Sequence, residues 1–379
     1  MRKVAIIGAS YLQEPLIQKA KSMGFETHVF AWACGDVGEK SADFFYPISI
    51  VEKDAILEKC VEIGIDGICS IASDLASITV NYISSAMGLI GNSLECTERS
   101  TNKYAMRKSF EENLDPSPRS YLVKSLKDLE GKELSYPIIV KPVDRSGSRG
   151  ITKLLDESGL FQAIESAIEQ SFQKEAVVEE FVEGQEYSVE CISWNGKHHF
   201  LAMTKKYTTG APHFIETGHL EPAMVEISVL EQVKKIVYHA LDSLKITNGA
   251  SHSELKITDD GTIRLIEIGG RMGGDFIGSN LVELSTGIDY TRAVLETCLG
   301  IEPKLEQEKA TGAAAVRFVF SNEDLQVLER LKREHPLYLV AQSEVFCTNR
   351  PIMDSSSRYG FYLMKADTPE DLLSYLPKE

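Results

Sequence analysis

Residues 253–268 hold the feature that most narrows the choice of folds: two strand-like runs joined by a turn, each carrying one glutamate. Ser253-Glu254-Leu255-Lys256-Ile257 and Ile263-Arg264-Leu265-Ile266-Glu267-Ile268 flank Asp259-Asp260-Gly261, a pattern that favours tight hairpin turns. With residues 259–262 in the loop, Thr258 faces Ile263 and the register sets Glu254 opposite Glu267. Directly opposed side chains have Cβ atoms about 5 Å apart, so the two carboxylates repel unless a cation lies between them. Oxygen-only ligation suits Mg²⁺ or Mn²⁺, and Mg²⁺ usually arrives with nucleotide phosphates. A solvated sheet face with no metal fits the same two residues. The apolar neighbours of Glu267 and the glycine-rich stretch after it favour the metal.

The rest of the chain supplies a setting for such a hairpin. Its 379 residues are too many for one small core and suit two or three domains. The formal charge of −16 argues against a nucleic-acid binder, so any basic pocket must be built locally from a few lysines and arginines. Seven scattered cysteines, an odd number without a CxxC pair, fit neither structural zinc nor a disulfide framework and point to a reducing cytoplasm. The first apolar run, Val4-Ala5-Ile6-Ile7, is short for a signal peptide, and no run reaches the roughly 20 residues of a membrane span.

Up to about residue 98, strand and helix signals alternate, which predicts a parallel sheet with helices on its faces. Strands are expected at 3–8, 26–32 and 67–72, with a helix between the first two presenting Leu12, Leu16, Ile17, Ala20 and Met23. A dinucleotide fingerprint is absent, because Ser10 and Gln13 stand where GxGxxG needs glycine. Ser100–Leu114 reads as one helix. Residues 119–183 read as a small unit of strand, helix, two strands, helix and strand. Beyond 310, strands at 313–320 and 360–366 precede a helix opened by Thr368-Pro369.

Two further segments carry chemistry. Tyr136-Pro137-Ile138-Ile139-Val140-Lys141-Pro142 ends an apolar strand in a lysine, and a phosphate anion is a good partner for an ammonium so placed. Asp144-Arg145-Ser146-Gly147-Ser148-Arg149-Gly150 follows it, a flexible loop able to turn N–H groups toward phosphate oxygens but not a Walker A sequence. Ala176-Val177-Val178-Glu179-Glu180-Phe181-Val182-Glu183-Gly184-Gln185-Glu186 breaks a strand at glycine. Such a hinge can offer main-chain groups to an adenine edge and Glu186 to ribose hydroxyls, although a plain strand connection fits too.

Taken in order, these motifs resemble those of ATP-grasp enzymes over essentially the whole chain. The resemblance implies an α/β fold: a pre-ATP-grasp parallel-sheet domain (1–98), an ATP-grasp domain (99–310) with a mobile lid (about 119–183), and a small C-terminal α/β domain (311–379). It implies ATP and Mg²⁺ (or Mn²⁺) as cofactors. Lys103 and Lys141 then resemble the two nucleotide-contacting lysines. Ser146, Gly147 and Ser148 fall in the phosphate-covering loop, Glu179, Glu180, Phe181 and Val182 in the adenine hinge, and Glu186 resembles the ribose acid. Glu254 and Glu267 resemble the magnesium acids, and Arg271 the arginine of Glu-x-Asn-x-Arg, with Arg271, Lys141 and Glu267 as the catalytic set. Gly269 departs from the pattern, standing where a third, asparagine ligand is expected.

Glu267-Ile268-Gly269-Gly270-Arg271-Met272-Gly273-Gly274-Asp275 and Ala211-Pro212-His213-Phe214-Ile215-Glu216-Thr217-Gly218-His219 are similar to segments of the dipeptide-forming L-amino-acid ligases. Biotin carboxylases carry a Gln-Val-Glu-His that is missing here, and D-alanine ligases lack the arginine. The resemblance implies that a carboxylate is activated as an acyl phosphate and passed to an amine, with release of ADP and phosphate. Substrate candidates are Glu216, His219, His252, Arg271 and Gly274, with Asp74 as a substrate contact or a helix cap. The partners implied are two small molecules, a carboxylate and an amine, with no nucleic acid or membrane, and a homodimer is compatible with the architecture. Two alternatives remain: an ATP-grasp enzyme using a phosphoribosyl amine or bicarbonate, and a nucleotide-binding module without turnover.

Overall fold

The structure, a computed structural model, describes all residues except 148, 212–213, 308–310, 346–354 and 379. Cys347 and, within the segments singled out above, Ser148, Pro212 and His213 therefore lie outside the described residues.

The first sheet is parallel, with β1 (Lys3–Ile7), β2 (Glu26–Phe30), β3 (Phe44–Tyr46) and β4 (Gly67–Cys69) in the order β3-β2-β1-β4. Val4, Ala5, Ile6 and Ile7 are all fully buried, as expected of a parallel strand covered on both faces. The short strand β3 was not foreseen; three residues give too little alternation to read. Loops at the carboxyl ends of β1 and β4 place Leu12 and Ala72 on the central cleft, and the helix Asp74–Met87 after β4 places Asp74 there.

The single helix expected over 100–114 is two, Leu94–Thr101 and Lys103–Glu112. Asn102 breaks it by capping the second: its Oδ1 accepts from Tyr104 N and Ala105 N, both at 3.0 Å. The break puts Lys103 in the first turn of a new helix, where its side chain reaches into the cleft.

The second sheet joins β5 (Ser120–Val123), β6 (Ile138–Pro142), β7 (Thr152–Leu154) and β8 (Ala176–Glu180) antiparallel in the order β5-β8-β6-β7. Helix Leu160–Gln170 packs its Leu160, Ala163, Ile164 and Ala167 on this sheet, so the unit owns a separate small core. Its first helix is only a 3₁₀ turn, Leu126–Leu129.

The third sheet is antiparallel and has eight strands: β9 (Gln185–Trp194), β10 (Lys197–Thr208), β11 (Glu216–Glu221), β12 (Gly249–Ile257), β13 (Ile263–Gly269), β14 (Ala313–Val319), β15 (Leu339–Gln342) and β16 (Gly360–Ala366). Their order is β13-β12-β9-β10-β11-β14-β16-β15. The C-terminal segment, expected as a small α/β domain (311–379), contributes β14, β15 and β16 to this sheet, with β14 paired to β11 from Gly218↔Arg317 to Glu221↔Ala314. Every residue of Ala313–Val319 is buried, and a strand covered on both faces needs neighbours on both edges.

The hairpin register differs from the expected one in an instructive way. Ile257, not Thr258, faces Ile263, which by alternation would have paired Glu254 with Ile266. A bulge between Glu254 and Leu255 restores Glu254↔Glu267. Ile263, Leu265 and Ile268 enter the core while Ile266 and Glu267 face the cleft, an arrangement unavailable to a strand of strict period two. A second irregularity, opposite Tyr207 and Thr208, skips Thr217, so Glu216 and His219 also reach the cleft together although they are three residues apart.

Candidate active site

One cavity of about 310 Å³ opens between the three sheets. All the proposed site residues within the described part of the chain line it. Their partners differ between the end beside the β5–β8 sheet, where the lid is expected (the lid end), and the N-terminal end.

At the lid end, Lys141 closes β6 and is buried with its Nζ 2.7 Å from Glu179 Oε2. Arg107, from helix Lys103–Glu112, approaches the same carboxylate with Nε 2.9 Å from Glu179 Oε1. Burial alone would raise the Glu179 carboxyl, but Arg107 and Lys141 hold it at about 2. The Glu179 main chain pairs with Ser120 on one side and Ile139 on the other. Glu179 is therefore not a hinge residue reading adenine; it is the buried counterion that fixes two cations. Burial lowers the Lys141 ammonium, with Glu179 pulling against it.

The strand ends at the next residues. Glu180 turns outward to Arg119 at 2.8 Å, and Phe181 N–H donates to Pro137 O at 3.0 Å. Lys153 and Lys256 sit over the Phe181 ring at 3.7 and 4.6 Å, and the Val182 carbonyl accepts from Lys256 Nζ. Pro118, Ile139, Ile151, Phe181, Val182 and Ile266 give this end an apolar slot. Ser146 and Gly147 lie at its rim, with Gly147 at φ +71°, which suits a loop wrapping a ligand.

In the middle lie the two opposed glutamates. Glu267 Oε1 is 2.9 Å from Lys103 Nζ, and Glu254 Oε1 is 2.6 Å from Lys206 Nζ. The repulsion expected of facing carboxylates is thus relieved by lysines in this structure, and their register alone does not require a metal. Lys206 is shared, with Glu186 at 2.9 Å and Glu216 at 3.7 Å. Burial would depress this ammonium, but Glu186 and Glu254 drive it well above its usual value. Burial likewise raises Glu254, and Lys206 and His252 outweigh it, holding the carboxyl well below the usual range. Glu186, expected at the ribose, is engaged by Lys206. The donor set fits a hard divalent cation: two carboxylates on adjacent strands at an open cavity leave coordination positions for phosphate oxygens and water. Among the described residues no cluster of three or more His, Cys, Asp or Glu forms a protein-only cage.

His252 does not stand alone. Its Nδ1 makes a short hydrogen bond to Glu190, whose other oxygen accepts Gly273 N–H at 2.9 Å, and its Nε2 lies 3.3 Å from Glu254. Burial would lower the imidazole, but Glu190 holds it up at about 9. A Cβ on Gly273 would come within 2.6 Å of Glu190 Oε1, so a larger residue there would break the link between β12 and the loop carrying Arg271.

Arg271 is gripped by Asp74 through Nε–Oδ1 at 2.7 Å and Nη2–Oδ2 at 3.0 Å. Burial disfavours its charge and Asp74 more than restores it, so the guanidinium is more firmly protonated than usual. Asp74 is not the cap of its helix; Ser73 is, accepting from Ala76 N. The missing side chain at Gly269 also has a reason. A Cβ there would sit 2.9 Å from Asp74 Oδ1 and 3.2 Å from Arg271 Nε, in the space the ion pair uses.

Glu216 lies between Lys206 and Arg358, the latter 3.5 Å away, and burial raises its carboxyl despite Lys206. His219 is fully buried, and among the described residues neither of its nitrogens has a hydrogen-bond partner. Burial lowers its imidazole, favouring the neutral form. Gly274 lies against Ala72, where a Cβ would meet the alanine Cβ at 3.5 Å.

Residues 134–279 match the family model of the ATP-grasp domain. The chain carries an ATP-grasp domain. It is similar to an alanine–anticapsin ligase of Bacillus subtilis, 26% identical over 315 residues, covering 72% of this chain and 66% of the relative. The chain thus spans about two thirds of the length of the curated relatives it first matches. Among solved structures it resembles an L-amino acid ligase from Bacillus licheniformis (TM-score 0.84, 23% identity, 99% of this chain and 96% of that one). It also resembles a phosphoribosylglycinamide synthetase from Anaerococcus prevotii (TM-score 0.77, 20% identity, 98% and 96%). Both likenesses establish the ATP-grasp fold.

Sequence reasoning missed three residues that line the ATP-grasp cleft, Lys206, Arg107 and Asp275, and two that hold its lining from behind, Glu190 on His252 and Arg358 on Asp275. Lys206 alone carried a readable sign, since it is a lysine in a strand of buried residues, as Lys141 is. Among the described residues no helix is long and apolar enough to cross a membrane.

Proposed function

We propose that this protein is an ATP-dependent carbon–nitrogen ligase that joins a small carboxylate, an amino acid, to an amine through an acyl phosphate. The observation that carries the reading is Arg271 and the glutamate pair sharing one cleft with Lys103, Lys141 and the polar residues Glu216 and His219. ATP, as substrate, fits with adenine in the apolar slot by Phe181 and phosphates toward Lys103, Lys141 and the loop at Ser146–Gly147. Glu254 and Glu267 would hold Mg²⁺, which supplies charge neutralisation at the phosphates.

The carboxylate oxygen attacks the γ-phosphorus as the bond to the β-phosphate oxygen breaks and ADP leaves. The amine nitrogen then attacks the acyl carbon, the carbon–oxygen bond to phosphate breaks, and the nitrogen loses a proton. The chain contributes chiefly position and charge. Arg271, locked by Asp74, faces the negative charge that develops in both steps. Glu216, whose neighbouring cations are both shared with other acids, is matched to a substrate ammonium. The similarity to an alanine–anticapsin ligase supports an amino-acid substrate over bicarbonate or a phosphoribosyl amine.

The test is ADP release from MgATP with amino acids singly and in pairs, bicarbonate, and phosphoribosylamine generated in situ. Release only when carboxylate and amine are both present, with an amide detected by mass spectrometry, is the expected result. Release with bicarbonate or phosphoribosylamine alone, or with none, contradicts the reading.

A further inference from the structure

The N-terminal end of the cleft holds polar groups that folding alone has left unmatched. Asp275 lines the cavity beyond Gly274, and Arg358 grips it with Nη1 and Nη2, each 2.7 Å from a carboxylate oxygen. The guanidinium lies 3.6 Å from the centre of the Phe318 ring and is largely buried. Its Nε has no hydrogen-bond partner among the described residues. His219 Nε2 stands 3.8 Å from Asp275 Oδ2, too far for a hydrogen bond, and its ring meets Phe318 edge-on. Asp275 and Phe276 are consecutive non-glycine residues at φ +50° and +67°, a conformation that costs free energy and turns Asp275 toward the cleft.

A buried ion pair is seldom the most stable way to fill space, since apolar side chains of similar volume do as well or better. A fully buried imidazole with both nitrogens unmatched is costlier still, unless a ligand supplies the missing partners. Glu216 already serves a substrate ammonium in the reading above. Asp275 is already neutralised by Arg358, so it has no need of a second cation. What Asp275 and His219 offer together is an acceptor beside a group able both to donate and to accept, at a cavity wall.

We propose that Asp275, held by Arg358, is the specificity-determining residue for the carboxylate-donating substrate, selecting an amino acid with a polar, hydrogen-bonding side chain over one with a hydrocarbon side chain. Arg358 is a positioning residue acting through Asp275. The inference rests on the amino-acid reading under Proposed function and deepens it.

The test is calorimetric binding to the full chain saturated with Mg²⁺ and a non-hydrolysable ATP analogue, so it does not depend on turnover. Serine and glutamine are compared with leucine and methionine. The polar pair is expected to bind on the order of tenfold more tightly or better. Asp275→Leu should reverse that order without changing analogue affinity. Arg358→Met should shrink the ratio and Arg358→Lys should keep part of it, which a merely structural role would not produce. Asp275→Asn, which keeps an acceptor, should retain the polar preference, while Asp275→Ala, which removes it, should lose the preference and stands in if the leucine variant fails to fold. Equal binding of the four amino acids, binding of none, or a ratio untouched by Asp275→Leu (or its stand-in) and by Arg358→Met overturns the proposal. ADP release with a different carboxylate would then leave the ligase reading standing by itself.

Discussion

The two ends of the cleft are finished to different degrees. At the lid end the cations already have an acid, Lys141 and Arg107 sharing Glu179, and in the middle Lys103 holds Glu267. At the N-terminal end, neither ring nitrogen of His219 has a hydrogen-bond partner among the described residues, and Ala72, Asp275 and Phe276 hold strained backbone. A site meant for a common ligand can be preassembled from its own counterions. A site meant to discriminate leaves its polar groups for the ligand to satisfy, because an analogue lacking the right group then strands them.

The largest effect should come from breaking the finished end. Glu179→Gln leaves Lys141 and Arg107 buried around a neutral group and should cost about 3–5 kcal/mol of stability, read as a lower urea midpoint. A shift below 1 kcal/mol would mean that the network is not integral to the fold. Next, Arg271→Met should slow turnover by about 10²–10³-fold, some 3–4 kcal/mol in the barrier, with ATP affinity changed little. An affinity loss without a turnover loss would remove its catalytic role.

A third prediction separates burial from pairing. Glu221 is a fully buried carboxyl whose partners are the Thr204 and Ser285 hydroxyls at 2.6 Å, and burial raises it from 4.5 to about 7. Because the folded state holds this proton more tightly, its contribution to stability is present below pH 4.5 and is lost as pH rises through 7. Glu221→Gln should flatten the stability profile across that window, by roughly 3 kcal/mol at its upper end. An unchanged slope would place the carboxyl in a wetter setting. The smallest effect belongs to the unfinished end: His219→Gln breaks no side-chain hydrogen bond among the described residues and should alter stability by less than about 1 kcal/mol while impairing substrate binding.

The sequence disclosed what is local and periodic: the alternating first domain, the apolar strand closed by Lys141, and the hairpin with its two acids. Even there, the expected Glu254–Glu267 pairing came from a loop one residue too long, and the bulge at Glu254/Leu255 made up the difference. Bulges leave no period to read, so the irregularity that brings Glu216 and His219 to the same cleft wall was equally hidden. The larger gap concerns partners. Asp74 with Arg271, Arg107 with Glu179, Lys206 with Glu254 and Arg358 with Asp275 are 48 to 197 residues apart and meet only through sheet order and domain packing. The continuation of the sheet into the C-terminal segment was hidden for the same reason, since nothing local shows that β14 pairs with β11.

Everything proposed for the chemistry turns on side chains 254 and 267 holding a nucleotide-borne divalent ion in place of their lysines. Calorimetric titration of ADP with and without Mg²⁺, into wild type and Glu267→Gln, tests it most directly. The account predicts that Mg²⁺ tightens ADP binding in the wild type and that the substitution abolishes at least tenfold of that gain, while metal-free ADP binds both proteins alike. Equal magnesium dependence in the two proteins would contradict it.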